Sequence, residues 1–231
     1  MWKRFWVVFS AVSMSAIALA VAPSAAATPS GRVAWIGSPI TGSVSSPPPH
    51  SHPYGGQWSV DIASGTTQTV KVYAAADSQR DPHLSARIEN VNYACAASWW
   101  DSRNGASPSQ TKANRLSRGG KVVRVGIYYD STLIGRVWYA HVDTSRDIGN
   151  YNDAVSRWGG SVGTMGTYTV NYNTTSGRTC WDGKHAHIDI ANISGRSCYW
   201  SGLTQGRGRS ANDYIGYVGY NSPTAACPSG I

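Results

Sequence analysis

Six histidines are the residues best suited to chemistry in this chain: His50, His52, His83, His141, His185 and His187. His185-Ala186-His187 opens the run His185-Ala186-His187-Ile188-Asp189-Ile190, which reads as a strand. In a strand, residues two apart project from one face, so both imidazoles can converge on one point. One ring can bind a metal through nitrogen while the other stays free to move a proton. Trp138-Tyr139-Ala140-His141-Val142 sets another histidine at the end of an apolar strand, where a buried imidazole needs a hydrogen-bonding partner. His50-Ser51-His52, followed by Trp58-Ser59-Val60-Asp61, offers imidazole and carboxylate on neighbouring elements. A catalytic zinc site takes three protein donors and keeps a fourth position open for water. One histidine of the Pro-rich turn, Asp61 and one of the His185/His187 pair meet that count. Asp189 shares a strand face with His187 and reads as an exposed carboxylate or a supporting partner. His83, after Asp81-Pro82 in a polar loop, reads as a surface residue.

Several other chemistries are excluded or left without support. The chain has one glutamate, Glu89, and no His-Glu-x-x-His, so the helical metalloprotease arrangement is absent. There is no Gly-x-Ser-x-Gly elbow of the kind α/β-hydrolases use. A glycosidase needs two carboxylates flanking the bond, and nothing singles out a pair among the aspartates.

The elements that must position these residues are short strands separated by turn signals. Strands are expected at Trp58–Ala63, Val70–Ala75, Leu84–Tyr93, Lys121–Tyr129, Gly135–Val142, Gly166–Tyr172 and His185–Ile193. Two helices are expected, at Ser109–Leu116 and Ile148–Trp158. The fold class is therefore mainly β: a single antiparallel domain with long loops. From Thr28 to Pro49 the Ser-, Pro- and Gly-rich chain reads as a loosely ordered lead-in. The tail from Ser201 to Ile231 reads as a C-terminal extension. No internal repeat is visible.

The first residues bear on compartment. Lys3 and Arg4, an apolar stretch from Phe5 to Val21 and Ala25-Ala26-Ala27 read as a secretory signal peptide over residues 1–27, with a retained membrane anchor as the rival reading. Both phenylalanines leave with it, so Trp and Tyr must fill the mature core. The four cysteines, Cys95, Cys180, Cys198 and Cys227, then read as two disulfides with three alternative pairings. Cys180 with Cys198 would close a loop around His185. The net charge of +8 over the full chain suits anionic cell-wall polymers as well as nucleic acid. Ten tryptophans, Trp99, Trp100, Trp138, Trp158, Trp181 and Trp200 among them, could face sugar rings, though core filling explains most.

Tyr139-Ala140-His141-Val142, Gly183-Lys184-His185-Ala186-His187-Ile188 and Ser161-Val162-Gly163-Thr164-Met165-Gly166 resemble, in order, the middle motif, the last motif and the turn between them in one family. With a His…Asp element ahead of them, the chain is similar to lysostaphin/LytM-type zinc metallopeptidases, in particular their β-lytic branch, over about Pro49 to Asn192. The resemblance implies a duplicated-hybrid-motif-type domain over residues 50–200, with zinc as cofactor. It implies that His52, Asp61 and His187 hold the metal and that His141 and His185 are catalytic. The common form of the family has a histidine four residues before the aspartate, where this chain has Gln57. The longer gap of the β-lytic branch is met by His52, nine residues before Asp61, with His50 as the alternative. The Ser/Thr-Gly-Pro that usually precedes the last motif is also absent. The activity implied is a secreted, monomeric metalloendopeptidase cutting peptidoglycan or a glycine-rich peptide, with no nucleic-acid partner and no membrane association after signal cleavage. The alternative is a catalytically inactive relative that binds cell wall or carbohydrate.

Overall fold

The computed structural model describes residues 33–52, 56–76, 81–94, 121–166, 184–192, 195–196, 200 and 202–219. The signal peptide, all four cysteines, the helix expected at Ser109–Leu116, Trp99, Trp100 and Trp181 lie outside these residues, as does the strand expected at Gly166–Tyr172 beyond its first residue. The described chain is all β and antiparallel, in thirteen strands that form one curled sheet. They are β1 (Val33–Gly37), β2 (Gly42–His52), β3 (Gly56–Ala63), β4 (Thr69–Ala75), β5 (Leu84–Tyr93), β6 (Lys121–Tyr129) and β7 (Thr132–Asp143). Then follow β8 (Gly149–Val155), β9 (Trp158–Met165), β10 (His185–Asn192), β11 (Gly195–Arg196), β12 (Gly208–Arg209) and β13 (Tyr214–Gly219).

The order β12-β2-β3-β10-β7-β9-β4-β1-β13 runs across the sheet, and a β8-β5-β6 wing pairs onto β7. Alternation along the central strands sorts side chains cleanly. Val60 and Ile62 of β3, Val123 and Val125 of β6, Val137 and Tyr139 of β7, and Ile188 and Ile190 of β10 are all fully buried. They form one core with Ile36, Val72, Ile215 and Val218 from the other end of the sheet. A Cβ on Gly135 of β7 would lie 2.5 Å from the Val218 side chain and 2.9 Å from the Ala191 carbonyl. The sheet therefore folds back so that β13 lies against β7, and only a residue without a side chain admits that approach.

Four local expectations are corrected. Residues 148–158 form strand β8 and the start of β9, not a helix. Asn150, Asn152 and Asp153 are weak helix formers, and β8 pairs with β5 along Ala86–Val91. The stretch expected to be a loose lead-in carries β1 and β2. The prolines at 47–49 are accommodated because the β2–β3 register is broken between Ser46 and His50, where their missing N–H groups are not required. The residues expected to turn at Ser161–Gly166 lie largely in β9, and the tail supplies β13, which pairs with β1 from Val33↔Gly219 to Gly37↔Tyr214.

Candidate functional site

The face of the central strands opposite the core carries the polar residues. β10 lies between β3 and β7, and its register sets His187 beside both Asp61 and Ala140, and Asp189 beside both Ser59 and Trp138. Paired residues of antiparallel strands share a face. Asp61, His185, His187 and Asp189 thus project to one side while Ala186, Ile188 and Ile190 fill the core. All of the four polar residues are buried: Asp61 is 7% exposed, His185 8%, His187 2% and Asp189 5%.

His141 reaches the same face by a different device. Period-two alternation would send it into the core with Tyr139. Instead the β6–β7 register jumps from Val122↔Ala140 to Lys121↔Val142, so His141 is an extra residue, a bulge. Its φ is 62°, in the left-handed region that histidine seldom adopts. Its carbonyl accepts a hydrogen bond from the Gly166 N–H at 2.7 Å, which ties the bulge to the end of β9. The ring, 1% exposed, ends edge-on to His185 with centroids 4.8 Å apart and 5.7 Å from the His187 centroid. A bulge that re-aims one side chain at a cluster of titratable groups is a common construction beside reactive sites.

The carboxylate of Asp61 is the hub. Its Oδ1 is 2.7 Å from His187 Nδ1, a hydrogen bond, and 3.9 Å from His185 Nε2. The structure thus brings together four of the five residues expected to form the site. The fifth, His52, has its side chain outside the described residues, as does its alternative, His50. Their backbones are placed: His50 pairs with Ser59 and His52 with Gly56. His50 is therefore opposite a residue two positions from Asp61, and His52 opposite one five positions away, about 7 and 17 Å along β3.

The donor chemistry fits zinc. Asp61 Oδ1 and His187 Nδ1 are the oxygen and nitrogen donors that zinc prefers, and bonds of about 2.0–2.1 Å at tetrahedral angles put neighbouring donors about 3.3 Å apart. The 2.7 Å separation needs only a small opening. Among the described residues no group of three or more His, Cys, Asp or Glu side chains forms a full metal site. Asp61 and His187 would supply two donors to such an ion, and a histidine of β2 is the third expected.

The sequence reading passed over the neighbouring part of this face. On β5, Glu89 is also a bulge residue, with Ile88 opposite Val125 and Asn90 opposite Arg124. Its Oε2 lies 2.6 Å from Arg136 Nε and 3.0 Å from Arg124 Nε, and its Oε1 accepts a hydrogen bond from the Tyr128 hydroxyl at 2.8 Å. Burial, and then Glu89 itself, raises the Tyr128 hydroxyl above its ordinary range and keeps it a donor. The only available signal was that the sole glutamate stood in a strand; its partners are 35, 39 and 47 residues away. His83 is exposed as expected, and pairs through Nδ1 with Asp130 Oδ1 at 2.6 Å, away from the site. Trp200 is buried in the core, while Trp138 is partly exposed on the site face. Compared with models of known protein families, with curated proteins and with solved structures, the chain has no match.

Proposed function

We propose that this protein is a secreted zinc metalloendopeptidase that hydrolyses peptide bonds, in bacterial cell-wall peptidoglycan. The observation that carries the reading is the convergence of His185, His187, Asp61 and a strained, bulged His141 on one sheet face. Asp61 and His187 would hold the metal, with His52 or His50 completing the set. Zinc bound there would polarise a substrate carbonyl and lower the pKa of water toward about 7.

The residues of the chain then divide the remaining work. His185 takes a proton from the attacking water on its ring nitrogen and delivers it to the departing amine. His141, held edge-on at 4.8 Å, donates a hydrogen bond to the charge that develops on the carbonyl oxygen. Strain at His141 keeps that ring aimed before substrate arrives, so its alignment does not have to be gained during the reaction. Burial of the cluster excludes bulk water and strengthens each of these interactions.

Metal analysis and wall lysis test the reading together. The mature protein should carry one zinc, and a chelator should abolish lysis of purified cell walls. His187→Ala and Asp61→Ala should lose both zinc and lysis, whereas His185→Ala should keep zinc and lose lysis by a factor of 10² or more. Of the β2 histidines, only the true ligand should lose zinc on replacement by alanine, and the backbone register favours His50. Protein that binds cell walls without zinc and without cleaving them would establish the inactive-relative alternative instead.

A further inference from the structure

The face that carries the histidines continues across β7 and β6 as a cationic, aromatic strip. One cross-strand row runs Ser59, Asp189, Trp138, Arg124 and Asn90; the next contains Ala191, Arg136, Gly126 and Arg87. Trp138 stands between the histidine cluster and the arginines. Arg124 and Arg136 each meet Glu89 through Nε, and both side chains are one-third exposed, against 11% for Glu89. About a third of each arginine side chain therefore remains accessible on this face. Arg87 adds a third cation, with its Cζ 5.7 Å from the Tyr128 ring centroid.

We infer that Arg124 and Arg136 form a subsite for a carboxylate of the peptide substrate, with Glu89 as the group that positions them. The inference rests on the peptidase reading for its substrate and on the geometry above for its chemistry. One carboxylate cannot neutralise two guanidiniums, so the cluster keeps a net positive charge on the same face as the histidine cluster. Arg136 donates from Nε to Glu89 and Arg124 lies in ion-pair range of it, and guanidiniums carry paired N–H donors suited to the two oxygens of a carboxylate. The scaffold is built for it. Glu89 is set by a bulge, and Gly126, which pairs with Arg87, leaves room that a Cβ would take, 2.6 Å from Glu89 Oε1. Arg136 lies four residues before Ala140 on β7, about 13 Å from the histidine cluster. An extended peptide covers that span in about four residues. The favoured substrate accordingly bears an acidic residue, or its free C-terminal carboxylate, three or four positions from the bond that is cut, and Trp138 packs against the residues between.

The test uses N-acetylated oligoglycine peptides carrying a single Glu, or Gln in its place, at each position along the peptide. Wild-type protein should cleave the best Glu peptide with about tenfold higher kcat/KM than its Gln partner, through KM. Arg124→Gln or Arg136→Gln should erase that preference, so that kcat/KM for the Glu peptide falls to that of its Gln partner. Glu89→Gln should raise the preference, because the arginines lose their neutralising partner, and a purely structural role for the cluster would not do so. Equal cleavage of Glu and Gln peptides at every position overturns the subsite and leaves the peptidase reading intact. If neither peptide is cut, calorimetric titration decides: selective binding of the Glu peptide, lost in Arg136→Gln, supports the subsite alone, and no selectivity overturns it.

Discussion

His141 concentrates the conflict between stability and placement. Its left-handed backbone costs roughly 1–2 kcal/mol for a residue with a Cβ, and a β-branched residue would bear more. His141→Gly should therefore unfold at a higher denaturant concentration than His141→Ala, by about 1 kcal/mol, and His141→Val should be the least stable of the three. Chemical denaturation of the three variants checks that order, and equal stabilities would show that the site holds no strain. Tyr139, two residues earlier, is its counterpart in the core. Its hydroxyl is fully buried and has no hydrogen-bond partner among the described residues. An unsatisfied buried hydroxyl costs about 1 kcal/mol or more, so Tyr139→Phe should raise stability by about that much and leave the site's zinc content unchanged. The bulge separates the two, sending Tyr139 into the core and His141 to the site.

At the scale of elements, β7 is the strand on which everything converges. It pairs with β10 along its middle, with β6 along its whole length, and with β9 after the bulge. Such a strand can carry Val137 and Tyr139 into the core while presenting Trp138, Arg136 and His141 on the other side. Gly126 on the adjacent β6 makes this face sensitive to a single methyl group. Gly126→Ala should drive the Glu89 carboxylate away from Tyr128 and Arg136, because the new Cβ would meet it at 2.6 Å and the carboxylate is the flexible partner. The expected outcome is a folded protein, less stable by about 1–2 kcal/mol, in which any preference for acidic peptides changes while hydrolysis of neutral ones does not. β8 shows the opposite kind of dependence. Ile148, just before it, with Tyr151 and Val155 suits a helix stripe by spacing, but the ladder to β5 decides the outcome, as tertiary pairing often overrides weak local preference.

The whole molecule is a curled sheet whose interior titrates late. Tyr214, half-buried, is pushed up to about 12, chiefly by burial and then by Tyr217, and full burial pushes Tyr139 higher still. An unfolded tyrosine titrates near 10. Above that pH the unfolded chain loses protons that the folded chain keeps, so stability present below pH 10 is lost as pH rises through 12. Lys121 acts in the other direction. Its ammonium donates to the Thr144 and Arg146 carbonyls, and burial lowers its pKa against the opposing pull of Asp143 and Asp147. Its burden on the fold is relieved as pH climbs toward 10.5. Urea midpoints should therefore fall steeply only above pH 10.5, and Tyr139→Phe should soften that fall; a midpoint independent of pH between 10 and 12 contradicts the assignment. Much of this architecture was legible in the chain. Leu84–Tyr93 and Lys121–Tyr129 run to their expected ends, and the strand at His185 begins where expected, because alternation of apolar and polar residues is a local property. Residue types alone group Asp61 with one of His185 and His187, and the choice of His187, 126 residues away, comes from the resemblance of ordered motifs. The bulges at His141 and Glu89, the Arg124–Glu89–Arg136 cluster and the return of β13 onto β1 were decided by tertiary structure alone. Register between distant strands depends on which edges meet when the sheet closes, and no single stretch of sequence contains that information.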